Sequence, residues 1–327
     1  MLVLDCLIEI QGKSNKIKFT YVNSIEINTS IRNLTDTATI VLPRKMDMKG
    51  KRLNDFITRG DKISIQIGYK DIDSQTVFKG YITSVSSETP ITIEAENEMW
   101  QLKQVKVNPK RYEKFILKDF LKEYVSGIEL VMPENIEFGE VIIQEETTVV
   151  KVLDYLKQNY PFHAFFDGNK MVAVLLTSQL QNTKEIKFKK GLNIISDGLK
   201  YTLAEDVKIQ IVAKSILANN TKLEAKSPKD GTGCEVRTFY EPSCKTQEEL
   251  QKYADDKMKT FKVDKMSGDF TAFGIPFVKK GVTVLLRDDD NLERDNKTFI
   301  ADAVKYSFGT SGYRQTVTLG DEIKRNS

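Results

Sequence analysis

Phe56-Ile57-Thr58-Arg59-Gly60 and Phe277-Val278-Lys279-Lys280-Gly281 read as two copies of one element, with Gly60 matching Gly281 at an offset of 221 residues. In each copy a glycine follows basic residues at the start of a strand, where a turn with positive φ is expected. An alternating strand follows, Lys62-Ile63-Ser64-Ile65 in one copy and Thr283-Val284-Leu285-Leu286 in the other. Each copy then crosses a polar loop and begins its next strand at the same distance from the glycine, at Phe78 and Phe299. The match continues with Ile82 against Ala303 and Val85 against Tyr306, and reaches Thr92-Ile93 and Val317-Thr318 through loops of unequal length. Two unrelated hairpins with charged loops can also align by chance, so strand order is the discriminating observation. A duplication predicts two equivalent β regions in each chain.

Outward from the first copy, residues from Leu2 to about Ala95 read almost wholly as strand. Ile17 to Ile27, Thr37 to Leu42, Ile63 to Tyr69, Val77 to Val85 and Ile91 to Ala95 are β-branched, aromatic and often alternating. The expected form is a closed or nearly closed antiparallel barrel over residues 1–102. Residues 103–196 read as a small α/β domain. Tyr112, Phe115, Ile116, Phe120, Leu121 and Tyr124 fall at helical spacing before Gly127, and Val149, Val152, Leu153 and Leu156 form a second stripe ahead of Pro161. Asp167-Gly168 predicts a hairpin turn. Residues 197–327 return to strand, interrupted near 246–262 by a helix that Thr246 and Glu249 open as a capping box. The fold class is thus mainly β with an α+β middle domain, containing two related antiparallel β-barrel domains, the second interrupted by a helix.

With 327 residues, two or three domains are the natural expectation. The 49 Lys and Arg nearly balance 46 Asp and Glu, with signs mixed along the chain, so no dedicated nucleic-acid surface is indicated. Cys6, Cys234 and Cys244 lack metal-knuckle spacing and are too few for a disulfide scaffold. The start of the chain has no basic leader before a long apolar run, and no stretch approaches the roughly 20 apolar residues of a membrane span. A soluble product made in the cytoplasm is expected, without integral membrane contact.

No residue is assigned to catalysis, cofactor binding or metal binding. His163 is the sole histidine and no Gly-x-Ser-x-Gly elbow accompanies it, so a packed or surface strand residue is expected. Asp288-Asp289-Asp290-Asn291 with Glu293 and Asp295 is the best ion-binding candidate. It lacks the glycine and the distal acid of an EF-hand and reads as a solvated hairpin turn. Lys103, Lys106, Lys110, Arg111 and Lys114 form a basic run that reads as a solvated linker or a contact for an acidic partner. Trp100 and Tyr69 each border a strand and read as packed anchors. They would also serve the alternative class, a monomeric β-rich adhesin or carbohydrate-binding module.

Several segments, by order and spacing, resemble the baseplate or tail hub proteins of phages, known as late control protein D or Mu-like tail proteins, and the hub portion of type VI secretion spikes. The segments are Asn23 to Ile27, Asp36 to Ile40, Phe56 to Gly60, Val77 to Ile82, Phe165 to Gly168, Gly268, Phe273-Gly274, Gly281 to Thr283, Phe299-Ile300 and Thr318 to Gly320. The resemblance implies a non-enzymatic homotrimer forming a pseudo-sixfold ring that joins the tail tube, or a distal tail protein, to a separate central spike or tip. Baseplate wedge proteins are further implied partners, and the implied location is a virion tail assembled in the bacterial cytoplasm. It does not separate contractile from noncontractile tails, nor an infectious phage from a defective prophage or a secretion-like device. Ile63 to Tyr69 and Val282 to Arg287 are the expected ring-forming edges.

Overall fold

The computed structural model describes residues 3–12, 16–43, 56–86, 88–132, 136–160, 162–175, 180, 185–217, 221–241, 243–291 and 295–323. Pro161 and Glu293, singled out above, lie outside them. The chain forms two compact units, one of Met1–Gly198 with Asp269–Ser327 and the other of Leu199–Gly268.

The larger unit opens with seven strands: β1 (Leu4–Gln11), β2 (Lys16–Phe19), β3 (Ser24–Ser30), β4 (Thr37–Val41), β5 (Lys62–Tyr69), β6 (Asp73–Val85) and β7 (Thr92–Glu96). A short helix, α1 (Met99–Leu102), follows. The middle segment holds β8 (Lys110–Tyr112), β9 (Phe115–Ile116), α2 (Leu117–Tyr124), β10 (Glu129–Val131), β11 (Glu137–Phe138), β12 (Val141–Ile143), α3 (Val149–Asn159), β13 (His163–Asp167) and β14 (Lys170–Val174). Next come β15 (Glu185–Lys189) and β16 (Ile194–Asp197). The smaller unit contains β17 (Lys200–Thr202), β18 (Ile209–Ile216), β19 (Lys222–Ser227), β20 (Glu235–Tyr240), α4 (Gln247–Phe261) and β21 (Lys265–Ser267). The chain then completes the larger unit with β22 (Asp269–Phe273), β23 (Thr283–Arg287), β24 (Lys297–Gly309) and β25 (Gly312–Glu322).

The expected pair of β-barrels does not form. The first β region and, from the second, β22 to β25 belong to one open 13-stranded sheet, ordered β16-β22-β25-β24-β3-β4-β7-β6-β5-β1-β2, with β23 beside β24 and β15 beside β23; β17 to β21, expected in the second barrel, form separate sheets in the smaller unit. The reason lies in β24. It is 13 residues long, pairs with β23 over its first turn of the ladder, and continues far enough for Ala303 to Gly309 to pair with Ser30 to Ser24 of β3. The edge that would close the first region on itself is therefore occupied by the second region, and β2 and β16 stay apart at the ends of the sheet. Nor is pairing antiparallel throughout, because β15 runs parallel to β23. The strands expected as ring-forming edges are interior: β5 lies between β1 and β6, and β23 between β15 and β24.

Strand order nevertheless supports the duplication. In chain order β3, β4, β5, β6 and β7 lie in the sheet as β5-β6-β7-β4-β3; β16, β22, β23, β24 and β25 lie as β23-β24-β25-β22-β16. Gly60 and Gly281 have φ of 93° and 78°. Gly60 N donates to Ile82 O at 2.8 Å, and Gly281 N to Ala301 O at 2.7 Å. Ile82 is thus matched by Ala301 and not by Ala303, so the second hairpin reaches its partner two residues sooner. Two residues is the side-chain period of a strand, so the slip keeps Phe78 and Phe299 both facing inward. Both are buried.

Elsewhere local chemistry sets the elements. Ile17 to Ile27 is not one strand but β2 and β3, separated at Thr20–Asn23. The first expected helix is shorter than its apolar spacing suggests, because Tyr112 and Phe115 are taken into β8 and β9 before α2 begins. α3 starts after Thr148 and buries the expected Val149, Val152, Leu153 and Leu156 in a core shared with Phe115, Phe120, Phe138 and Phe162. In the smaller unit, Thr246 Oγ1 accepts from Glu249 N and Glu249 Oε2 accepts from Thr246 N, both at 3.2 Å, completing the capping box of α4. Leu250, Ala254 and Met258 of α4 pack on Ile209, Ile211 and Ala213 of β18. β20 is a strand for which the sequence carried no expectation.

Because Gly60 and Gly281 hold equivalent left-handed turns, Gly60→Ala and Gly281→Ala should each lower stability by about 1–2 kcal/mol. Urea denaturation of each single variant checks this. A cost at only one position would contradict their equivalence.

Candidate functional site

The seam between the repeated halves is the most heavily built polar feature of the larger unit. β3 ends at Ser30, the chain turns through Ile31–Thr35, and Asp36 is delivered just before β4. From the second half, the turn ahead of Gly281 delivers Lys280. Lys280 Nζ lies 2.7 Å from Asp36 Oδ1 and 2.6 Å from Oδ2. Both side chains are buried, at 7% and 8% exposure. Ser30 N and Asn97 Nδ2 also donate to Asp36, each at 3.1 Å, and Lys280 Nζ lies 5.0 Å from the ring centre of Phe165. Burial pushes the Asp36 carboxyl up and the Lys280 ammonium down from their ordinary values, and their mutual attraction opposes both shifts.

The turn carrying Lys280 is held by a residue that the sequence did not flag. Gln315 is fully buried, accepts from Val278 N at 3.1 Å, and donates to Phe273 O at 2.8 Å and Pro276 O at 2.6 Å. Tyr306 Oη adds a 2.6 Å bond to Val278 O. In the first half the equivalent turn is held differently, by Asp61 accepting from Thr58 N at 2.8 Å. A cavity of about 220 Å³ adjoins the seam, lined in part by Asp36, Lys79, Asp167, Lys279, Lys280 and Tyr306.

The remaining candidates are placed apart from the Asp36–Lys280 pair. His163 lies in β13, half-buried, with Nδ1 unpaired among the described residues. Burial holds its imidazole below the usual value, assisted by the Arg32 charge and opposed by Asp302 and Asp321. Arg32 Nε is 2.5 Å from Asp302 Oδ2. Asp288, Asp289, Asp290 and Asp295 belong to the β23–β24 connection. Asp295 Oδ1 accepts from Arg287 Nε at 2.8 Å and Asp288 N at 3.0 Å, and Lys189 lies 2.6 Å from Asp289. Among the described residues no group of three or more His, Cys, Asp or Glu is arranged to hold a metal. The basic run is neutralised within the chain: Lys103 meets Glu96, Lys106 meets Glu146, Arg111 meets Glu140 and Lys114 meets Glu137, at 2.5–2.7 Å. Lys110 lies over the Tyr112 ring. Tyr69 is a packed anchor, 5.8 Å from the Tyr313 ring. Trp100 is half-buried and stacks on Tyr81 at 5.5 Å.

No helix among the described residues is long and apolar enough to cross a membrane. The sequence matches no protein-family profile and no characterised protein. The fold does match solved structures. The 43 kDa tail protein of a Shewanella oneidensis prophage aligns over 97% of this chain and 98% of its own, with a TM-score of 0.67 at 14% identity. A tail protein from Neisseria meningitidis aligns over 98% and 97%, with a TM-score of 0.66 at 13% identity. An Escherichia coli component of the type VI secretion system, described as structurally similar to bacteriophage T4 tail proteins, aligns over 98% and 77%, with a TM-score of 0.56 at 11% identity. The chain therefore has the fold of these tail and secretion-system proteins.

Removing Asp36 would strand a buried ammonium, so Asp36→Ala should cost about 3–5 kcal/mol in urea denaturation, and Asp36→Leu with Lys280→Met together should cost less. Equal losses in the two variants would contradict the pairing. For His163 the folded pKa lies below the unfolded value of about 6.5, so the unfolded state binds more protons. Its contribution to stability is complete above that value and falls as pH drops through it. His163→Gln should flatten the decline of the urea midpoint between neutral and mildly acidic pH; an unchanged slope would remove this role.

Proposed function

We propose that this chain is a non-enzymatic structural hub of a phage tail or of a tail-like secretion device, acting as a homotrimer that joins the tail tube to a central spike or tip. Its place would be the tail or baseplate, with assembly in the bacterial cytoplasm. The observation that carries this reading is the fold likeness to tail proteins over nearly the whole length of both chains, with TM-scores of 0.67 and 0.66. The boundary at 102 is kept as a functional division and the one at 196 moves ahead of β15, giving two ring-forming β regions, the second including β15 and β16, and a middle segment directed toward the spike.

The internal repeat supplies the geometry. Three copies contain six β regions, so a junction made once inside each chain can recur between chains. Inside the chain, the first repeated strand of the first half, β3, pairs with the fourth of the second half, β24. The corresponding junction between chains sets β16 of one copy beside the end of β6 in the next. Both partners have an edge to offer: among the described residues β22 is the one strand paired with β16, apart from an isolated bridge of Ile194 to Lys190, Ile195 is 45% exposed, and Ser84 and Val85 pair with β7 alone. Pairing these edges would also cover the open sheet end at β16.

Sedimentation of the full chain across a concentration series tests the reading. The wild type should reach three times its 37.3 kDa mass. Ile195→Asp should weaken association at least about tenfold, ~1.4 kcal/mol, while leaving the urea midpoint of the subunit unchanged. A persistent monomer, even with tube and spike proteins present, would overturn the hub assignment.

A further inference from the structure

Beside Trp100 runs a groove of about 320 Å³ formed by α1, the turn after it, the end of α2 and the connection to β10. Charged residues make up 29% of the chain, yet none lines this groove. Ionic groups adjoining the lining residues in sequence are engaged elsewhere, Lys103 with Glu96, Glu129 with Lys170 and Glu98 with Tyr81. What the groove offers is one indole, the phenol of Tyr124, the carboxamides of Gln101 and Gln104 and the hydroxyl of Ser126, set among the apolar side chains of Leu102, Val105, Val125 and Ile128.

Gln104, Tyr124 and Ser126 are available, Gln101 is hydrogen-bonded to Tyr81, and the aromatic is held firm. Gln104 and Ser126 make no side-chain hydrogen bond among the described residues, and both are exposed. Tyr124 Oη accepts from Asn108 N at 3.3 Å, which leaves its own proton free to donate. The Trp100 ring is fixed by its stack on Tyr81, with 21° between the planes, and a side chain at Gly60 would bring a Cβ within 3.4 Å of Cη2. A rigid aromatic beside neutral donors and acceptors suits a ligand with an apolar face and a rim of hydroxyls. An ion would find no countercharge here. An extended peptide would find no strand edge, since the groove is built from helix ends and turns. A purely apolar ligand would desolvate the amides and hydroxyls without replacing their hydrogen bonds.

We propose that this groove is a binding subsite for a neutral saccharide ring. The ring packs an apolar face against Trp100 and exchanges hydrogen bonds with Gln104, Tyr124 and Ser126. The proposal goes beyond the hub reading, because the groove needs no second copy.

Trp100 is the single tryptophan of the chain, so intrinsic fluorescence reports this groove directly. The full-length protein is titrated with glucose, galactose, N-acetylglucosamine and N,N′-diacetylchitobiose, and in parallel with a neutral Gly/Ser/Pro peptide. At least one saccharide should give a saturable shift with half-saturation on the order of 1 mM. In Gln104→Ala/Ser126→Ala, two exposed positions, the half-saturation should rise at least tenfold while the melting curve and assembled mass stay unchanged. Ligand-detected NMR with Trp100→Phe, whose phenyl keeps contact with Tyr81, should show weakened binding. No saturable response to any saccharide by the folded protein would overturn the proposal, as would an undiminished response in the double variant or a response to the peptide alone. Loss of assembly in the wild type would count against the hub and leave this result standing.

Discussion

The buried Asp36–Lys280 pair constrains the rest of the larger unit. A single carboxylate at the start of β4 receives hydrogen bonds from Ser30, Asn97 and Lys280, so one atom group ties the β3–β4 turn, the end of β7 and the turn ahead of β23. Breaking such a pair leaves an isolated buried charge, which costs far more than the intact pair contributes in net terms. Its value is therefore in specifying arrangement. Only when the two halves meet in the correct register are both charges compensated. The backbone ladder between β3 and β24 and the Phe165 contact from the middle segment converge at the same place.

That convergence explains why a duplicated chain does not fold as two independent barrels. A closed sheet needs its first and last strands to meet. Here β24 is long enough to serve two neighbours on one edge, first β23 and then β3, which spends the first half's closing edge on the second half. The result keeps the same strand order in each half, joins the halves, and leaves edges at β16 and at the end of β6. In the proposed ring those edges repeat the internal junction. On that proposal, function lies in how sheet ends are satisfied.

Much of this was legible in local sequence. The glycines at 60 and 281 mark equivalent turns because a left-handed backbone leaves few alternatives, and the Thr246–Glu249 pair marks a helix start because the orphan amides there need those acceptors. α3 was readable from its apolar stripe. What escaped was nonlocal. No periodicity says which edge a strand will share, so the sheet's openness and the two-residue slip between the hairpins were invisible. β20 escaped because nearly all its side chains are exposed, which erases the alternation of a half-buried strand. Asp36 and Lys280 each stood within a quoted segment, yet 244 residues separate them and nothing in either segment names the other. Gln315 looked like an ordinary polar strand residue, and its three bonds to backbone depend on how 273–278 folds beneath it.

The most direct measurement is a structure of the assembled particle by electron cryomicroscopy, at a resolution that separates strands. The account expects three copies in a ring, with β16 of each hydrogen-bonded beside the end of β6 in the next, in the relation that β3 bears to β24 within the chain. A ring joined through other surfaces, with β16 left open to solvent, would contradict it.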